Sequence, residues 1–142
     1  MIRRDITRRL GLDVGDMRIG LALSDPEGIL ASPLTIIERT TDEQALEAIV
    51  DIVRQNQVGQ IIVGLPRRMD GSLGGQAEKT TDFARRLGCC TGVPLEFRDE
   101  RLTTVSARRL QRAADIKKAK RREHDDAMAA ALILQGYLEE GR

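Results

Sequence analysis

Aromatic residues make up 2% of this 142-residue chain, with no tryptophan. Phe83, Phe97 and Tyr137 are too few for a platform on which nucleobases stack, so any contact with nucleic acid should fall mainly on its backbone. There is one histidine, His124, and the two cysteines, Cys89 and Cys90, are neighbours. With no CxxC pair and a single imidazole, a Cys–His zinc site is nearly excluded. Adjacent cysteines close a trivially short loop, so they read as reduced thiols acting as small hydrophobes near a helix end. Net charge is only +1, from 23 basic and 22 acidic residues, so bulk charge does not point to a polyanionic partner. No run of about 18 apolar residues occurs, which excludes a transmembrane helix. The opening MIRRDITRR has no apolar stretch for a cleaved secretory signal. A cytoplasmic protein without a membrane partner is expected.

Apolar residues make up 41% and charged residues 32%, which suits a globular protein. The length suits one domain, residues 1–142, with a core that needs no covalent staples. RLGLDV (9–14) and RIGLALS (18–24) read as two strands of a hairpin turning at Val14–Met17. Asp25-Pro26-Glu27-Gly28 is a turn, and a third strand fits 29–38. Thr41 followed by Gln44 opens a helix carrying Ala45, Leu46, Ile49, Val50 and Val53 at helical spacing, and Gly59 ends that segment. QIIVGL (60–65) is a continuous apolar run, as in a buried parallel strand. A glycine-rich loop (67–75) leads to a helix over 76–88 that stops at Gly88, then a fifth strand over 93–98. A helix capped by Thr103 or Thr104 runs through Leu110, and a last helix over 125–139 places Met128, Ala131, Leu132 and Gln135 on one face. The order predicts an α/β protein: a mixed five-stranded sheet, three antiparallel strands followed by two parallel ones, flanked by helices.

Several acids stand at element ends. Asp13 lies in an apolar strand, Asp99 and Glu100 follow the fifth strand, and Asp125 and Asp126 open the last helix. In open sheets with crossovers, ligands gather at the carboxyl edge of the parallel strands. Carboxylates converging there repel one another by several kcal/mol unless counter-charge is supplied. Oxygen-only donors point to Mg²⁺ or Mn²⁺, and two such ions can serve phosphodiester hydrolysis. Each acid also has a plainer role open to it: a turn residue at Asp13, a helix cap at Asp125 or Asp126, a surface pair between Glu100 and Arg101.

LGLDVGDMRIGLALSD (10–25), VGLPRRMDGSLGGQA (63–77), FRDERLTT (97–104) and DDAMAAALILQGYL (125–138) resemble, in order, the motifs of the YqgF/RuvX family. The resemblance covers roughly residues 9–139. It implies a ribonuclease H-like fold and a bacterial, cytoplasmic nuclease of pre-16S rRNA or a Holliday-junction resolvase. It carries the strand-one aspartate onto Asp13 and the DER motif onto Asp99, Glu100 and Arg101, with Glu100 as the metal-facing member. It carries the helix aspartate, eleven residues before Tyr137, onto Asp126, leaving Asp125 and Asp99 as additional acidic ligands. Two positions depart from the family pattern: Met17 stands where a basic residue is usual, and Arg68 where asparagine is usual.

The loop at 66–75 has its own reading. Its glycines permit close approach to a phosphate, Arg67 and Arg68 add donors, and the helix after it offers an anion-favouring N-terminus. Arg18, Arg101 and the run Lys117, Lys118, Lys120, Arg121 and Arg122 are further candidates to grip a nucleic-acid backbone. His124 could shuttle a proton. The expected activity is metal-dependent phosphodiester hydrolysis, with 5′ processing of pre-16S rRNA ahead of Holliday-junction resolution. Structured RNA or branched DNA is the expected partner, bound by a monomer or a homodimer. The competing readings are a non-catalytic nucleic-acid or ribosome-assembly factor, and an actin-like or sugar-kinase ATP module. The last of these needs two domains around its nucleotide, which this length does not supply.

Overall fold

A computed structural model describes residues 8–66, 74–99 and 125–140, with Asp125 and Asp126 described as backbone only. The chain opens with three strands, β1 (Arg8–Val14), β2 (Arg18–Ser24) and β3 (Ala31–Glu38). Helix α1 (Asp42–Gln55), β4 (Val58–Leu65), α2 (Gly75–Thr91) and β5 (Leu95–Asp99) follow, and α3 (Asp125–Glu140) comes last. The strands form one sheet in the order β3-β2-β1-β4-β5. β1–β2 and β2–β3 pair antiparallel, whereas β1–β4 and β4–β5 pair parallel. This is the mixed sheet expected from the sequence. The helix expected after Thr103 lies outside the described residues.

Strand alternation divides the core between the two faces of the sheet. Leu10, Leu12, Ile61 and Val63 turn to one face and pack with Ile49 of α1 and Phe83 and Leu87 of α2. Ala22 and Ile62 turn to the other and pack with Ala130, Ala131 and Leu134 of α3. Each fully buried leucine or isoleucine contributes about 1.5–3 kcal/mol of transfer free energy to this arrangement. Helix α3 lies close against β1 because Gly11 has no side chain at that contact. A Cβ built on Gly11 would stand 2.8 Å from Leu134 Cβ and 2.9 Å from the Ala130 carbonyl oxygen.

Several boundaries differ from the sequence expectation. Helix α2 passes through Gly88 and ends at Gly92, whose φ of 69° and backbone N–H to the Gly88 carbonyl form a left-handed cap. Gly88 is an interior glycine with open space where a Cβ would stand. Helix α1 ends before Gly59, at Asn56 and Gln57 (φ 55°), and Gly59 belongs to β4. Ile29 and Leu30 belong to the turn before β3, tied by their N–H groups to Asp25 Oδ1. Of the face expected on α3, Ala131 and Gln135 are buried, whereas Met128 and Leu132 are at its flank and Ala127, Ala130, Leu134 and Leu138 complete it. Cys89 and Cys90 are both free, as expected, and stand exposed in the last turn of α2. The Thr41 expectation matches the structure: Thr41 Oγ1 accepts from Gln44 N at 3.1 Å.

Candidate active site

The parallel strands β1, β4 and β5 all end on one edge of the sheet, and Asp13 stands there, half-buried, one residue before the end of β1. The register sets the face of each acid. Leu12 pairs with Val63 and Val63 with Phe97, all three on the α1–α2 side. Asp13 is therefore on the α3 side, one position beyond Leu12. Arg98, paired with Gly64, turns to that same side: its buried guanidinium donates to Glu140 of α3 at 2.9 Å, and it occupies the space where a Cβ on Gly136 would stand. Asp99, next along β5 and paired with Leu65, is on the opposite face from Asp13.

Helix α3 crosses the sheet with its start directed to the Asp13 edge. Its far end meets the beginnings of the strands, where Gln60 Nε2 of β4 donates to Tyr137 Oη at 3.1 Å and Tyr137 Oη to Glu96 of β5 at 3.4 Å. Ala130 lies over Gly11. From Gly11 to Asp13 is two strand residues, about 6.6 Å. From Ala130 back to residue 126 is four helix residues, about 6 Å. The backbone of Asp126 is thus level with Asp13. The structure brings Asp13 and the backbone of the first turn of α3 to one edge.

A cleft of about 490 Å³ opens beside Asp13, lined by Asp13, Gly15, Asp16, Met17, Arg18 and Glu38. Among the described residues, its lining offers the carboxylates of Asp13, Asp16 and Glu38 and no thiol or imidazole. That chemistry fits a hard divalent cation. Among the described residues, no three acidic, histidine or cysteine side chains form a metal-sized group. Of the acids expected at the site, only Asp13 and Asp99 have described side chains. Glu100 and the side chains of Asp125 and Asp126 lie outside the described residues, as do Arg67, Arg68, Arg101, the 117–122 run and His124.

Arg18 is on the rim of the cleft, where it is exposed and pairs loosely with Glu38 at 3.8 Å. Such a pair contributes little to stability, which leaves Arg18 available to a phosphate. At the first turn of α2, Gln76 Nε2 donates to the Val14 carbonyl at 3.5 Å, so the helix that follows the glycine-rich loop opens against the end of β1. Sequence reasoning passed over Asp16, Glu38 and Arg39. Asp16 stands three residues after Asp13 in the hairpin turn, a spacing that could have flagged it. Glu38 and Arg39 reach the turn only through strand pairing across β2 and β3, so nothing local marks them.

The RuvX family profile, described as Holliday junction resolvase, matches residues 7–140. A Moorella thermoacetica protein named "Putative pre-16S rRNA nuclease" is 50% identical over 132 residues, spanning 93% of this chain and 94% of that protein. A Thermoanaerobacter pseudethanolicus protein with the same name is 48% identical over 133 residues, spanning 93% and 96%. Among solved structures, Thermus thermophilus RuvC in complex with a Holliday junction substrate is similar at a TM-score of 0.60 and 12% identity, with 95% of each chain covered. At that identity the likeness speaks for the fold, which is the ribonuclease H-like fold expected from the motifs.

Proposed function

Because the chain belongs to the RuvX family, described as Holliday junction resolvase, we propose that it is a metal-dependent endonuclease hydrolysing phosphodiester bonds, and that it trims the 5′ end of pre-16S rRNA. The observation that carries this reading is the meeting of Asp13 and the start of α3 at the carboxyl edge of three parallel strands. The names of relatives at 50% and 48% identity support the RNA substrate.

Asp13, Glu100 and Asp126 would hold two Mg²⁺ or Mn²⁺ ions, with Asp99 and Asp125 as additional acidic neighbours. The opposite facing of Asp99 and Asp13 favours the next residue in the chain, Glu100, as the ligand of that pair. When bound, the ions supply positive charge that makes water a stronger acid and offsets the charge on the scissile phosphate. The protein's own contribution is orientation. Asp13 is on a strand and the backbone of Asp126 is on a helix packed tightly against it, so both residues are carried by rigid elements. Arg18, Arg67, Arg68, Arg101 and the run Lys117, Lys118, Lys120, Arg121 and Arg122 would bind the phosphate backbone, with no role in proton transfer.

The test is Asp13→Asn in the purified, folded protein. Mg²⁺-dependent cleavage of a pre-16S substrate should fall by at least about a hundredfold, with the circular dichroism spectrum unchanged. Wild-type cleavage by the folded variant would remove the proposal. The family's description favours a second reading, resolution of four-way DNA junctions. That activity needs two symmetric sites acting on paired strands, so paired nicks by a dimer would select it over trimming by a monomer.

A further inference from the structure

We propose that Arg39 is a positioning residue for the acidic edge: it clamps the β1–β2 turn and so sets where Asp13 and Asp16 stand. The inference rests on the nuclease reading for its consequence, but the clamp itself is a matter of geometry. Arg39 follows β3 and reaches four groups. Its backbone N–H donates to the Met17 carbonyl at 2.8 Å. Its Nη1 donates to the Gly15 carbonyl at 2.9 Å, and its Nε to Asp42 Oδ1 at 2.9 Å. Its guanidinium lies 4.8 Å from the centre of the Phe83 ring, a cation–π distance, and Phe83 is buried in α2. The side chain is only 12% exposed.

These contacts join three separate parts of the molecule. The turn gives two backbone carbonyls, the first residue of α1 gives a carboxylate, and the core of α2 gives an aromatic face. The turn itself is tight. Gly15 N donates to the Arg18 carbonyl at 2.9 Å, and a Cβ on Gly15 would stand 2.7 Å from that oxygen. Gln76 takes the neighbouring Val14 carbonyl. Asp13 precedes this pinned segment directly and Asp16 is inside it, so a shift of the turn moves both carboxylates. The planar fork of arginine suits the task, because it donates in two directions while its face rests on Phe83. A lysine ammonium is a single point charge on a flexible stem and cannot do both.

The experiment compares wild type, Arg39→Met, Arg39→Lys and Asp42→Asn by three readouts at a temperature where circular dichroism shows all of them folded. The readouts are hydrogen exchange of the 13–18 segment, direct Mn²⁺ binding by electron paramagnetic resonance, and kcat and KM for cleavage. In Arg39→Met, loss of a charge-assisted bond to Gly15 should speed exchange in 13–18 by about tenfold. It should also raise the half-saturating Mn²⁺ concentration by about tenfold, and lower kcat more than it raises KM. Arg39→Lys should fall between, which keeps the test informative if the methionine variant does not fold. Asp42→Asn keeps the Arg39–Gly15 bond and should leave exchange in 13–18 and Mn²⁺ binding near wild type. Wild-type exchange in Arg39→Met and Arg39→Lys would overturn the proposal. An equal effect in Asp42→Asn would do so too, because Arg39 would then act only through the end of α1. If wild type neither binds Mn²⁺ nor cuts nucleic acid, the nuclease reading fails, while the exchange data still decide the clamp.

Discussion

Asp42 shows how much one residue's surroundings can add to what its type suggests. It is the first residue of α1, where a negative charge faces the positive end of the helix. The hydrogen bond from Arg39 holds its carboxyl below the ordinary carboxylate value, partial burial opposes this, and the charges of Arg39 and Arg86 reinforce it. A carboxyl depressed by folding stabilises the protein fully above its unfolded value of 3.8, and that contribution is lost as the pH falls through the lower folded value. The carboxylate is 37% exposed, so screening by solvent limits its worth to about 0.5 kcal/mol. Asp42→Asn should therefore melt slightly below wild type at pH 7, and the gap should close below about pH 4. Thermal melts at both pH values check this, and a constant gap would show that the charge is not the cause. Thr41 is a plainer case. Its cap was legible because Thr-x-x-Gln states its own geometry, whereas Arg39, two residues earlier, has partners 24 residues back at Gly15 and in Phe83 of α2.

At the scale of elements, the contact between α3 and β1 decides whether the acids meet. Helix α3 is apolar on nearly all sides, so its periodicity alone did not tell which stripe faces the sheet: of the expected residues Ala131 and Gln135 are buried, and Met128 and Leu132 stand at the flank. Gly11 resolves it, because its missing side chain lets Ala130 and Leu134 approach the strand. Gly11→Ala should overpack this contact and cost about 1–3 kcal/mol. It should also lower cleavage at temperatures where the variant is folded, since α3 must move away from Asp13. Denaturant melts and turnover assays check the two effects separately. Turnover equal to wild type in the folded variant would mean that the spacing between α3 and β1 is not critical. β1, β2 and β4 were legible to within a few residues because each is a largely apolar run bounded by turn residues. The end of α2 was not, because Gly88 and Gly92 look alike in sequence and only the backbone turning to φ 69° at Gly92 marks the true stop.

Over the whole molecule, a net charge of +1 conceals local clusters of cations. If Lys117, Lys118, Lys120, Arg121 and Arg122 bind phosphates, changing all five to alanine should flatten the dependence of log affinity on log salt by up to about 4.5 units of slope, at about 0.9 per phosphate on duplex DNA. Anisotropy titrations at several salt concentrations measure this, and an unchanged slope would remove the run from the interface. Apolar periodicity and turn chemistry are local properties of neighbouring residues, so the fold class was readable in the linear sequence, and the resemblance to the family's motifs supplied the candidate acids. Tertiary structure alone decided which acids share a face and what holds them: Asp13 looks toward α3, Asp99 looks away, and Arg39 ties the turn to two helices. Those relations depend on strand register and on close contacts between segments far apart in the chain, which no local pattern of residues encodes.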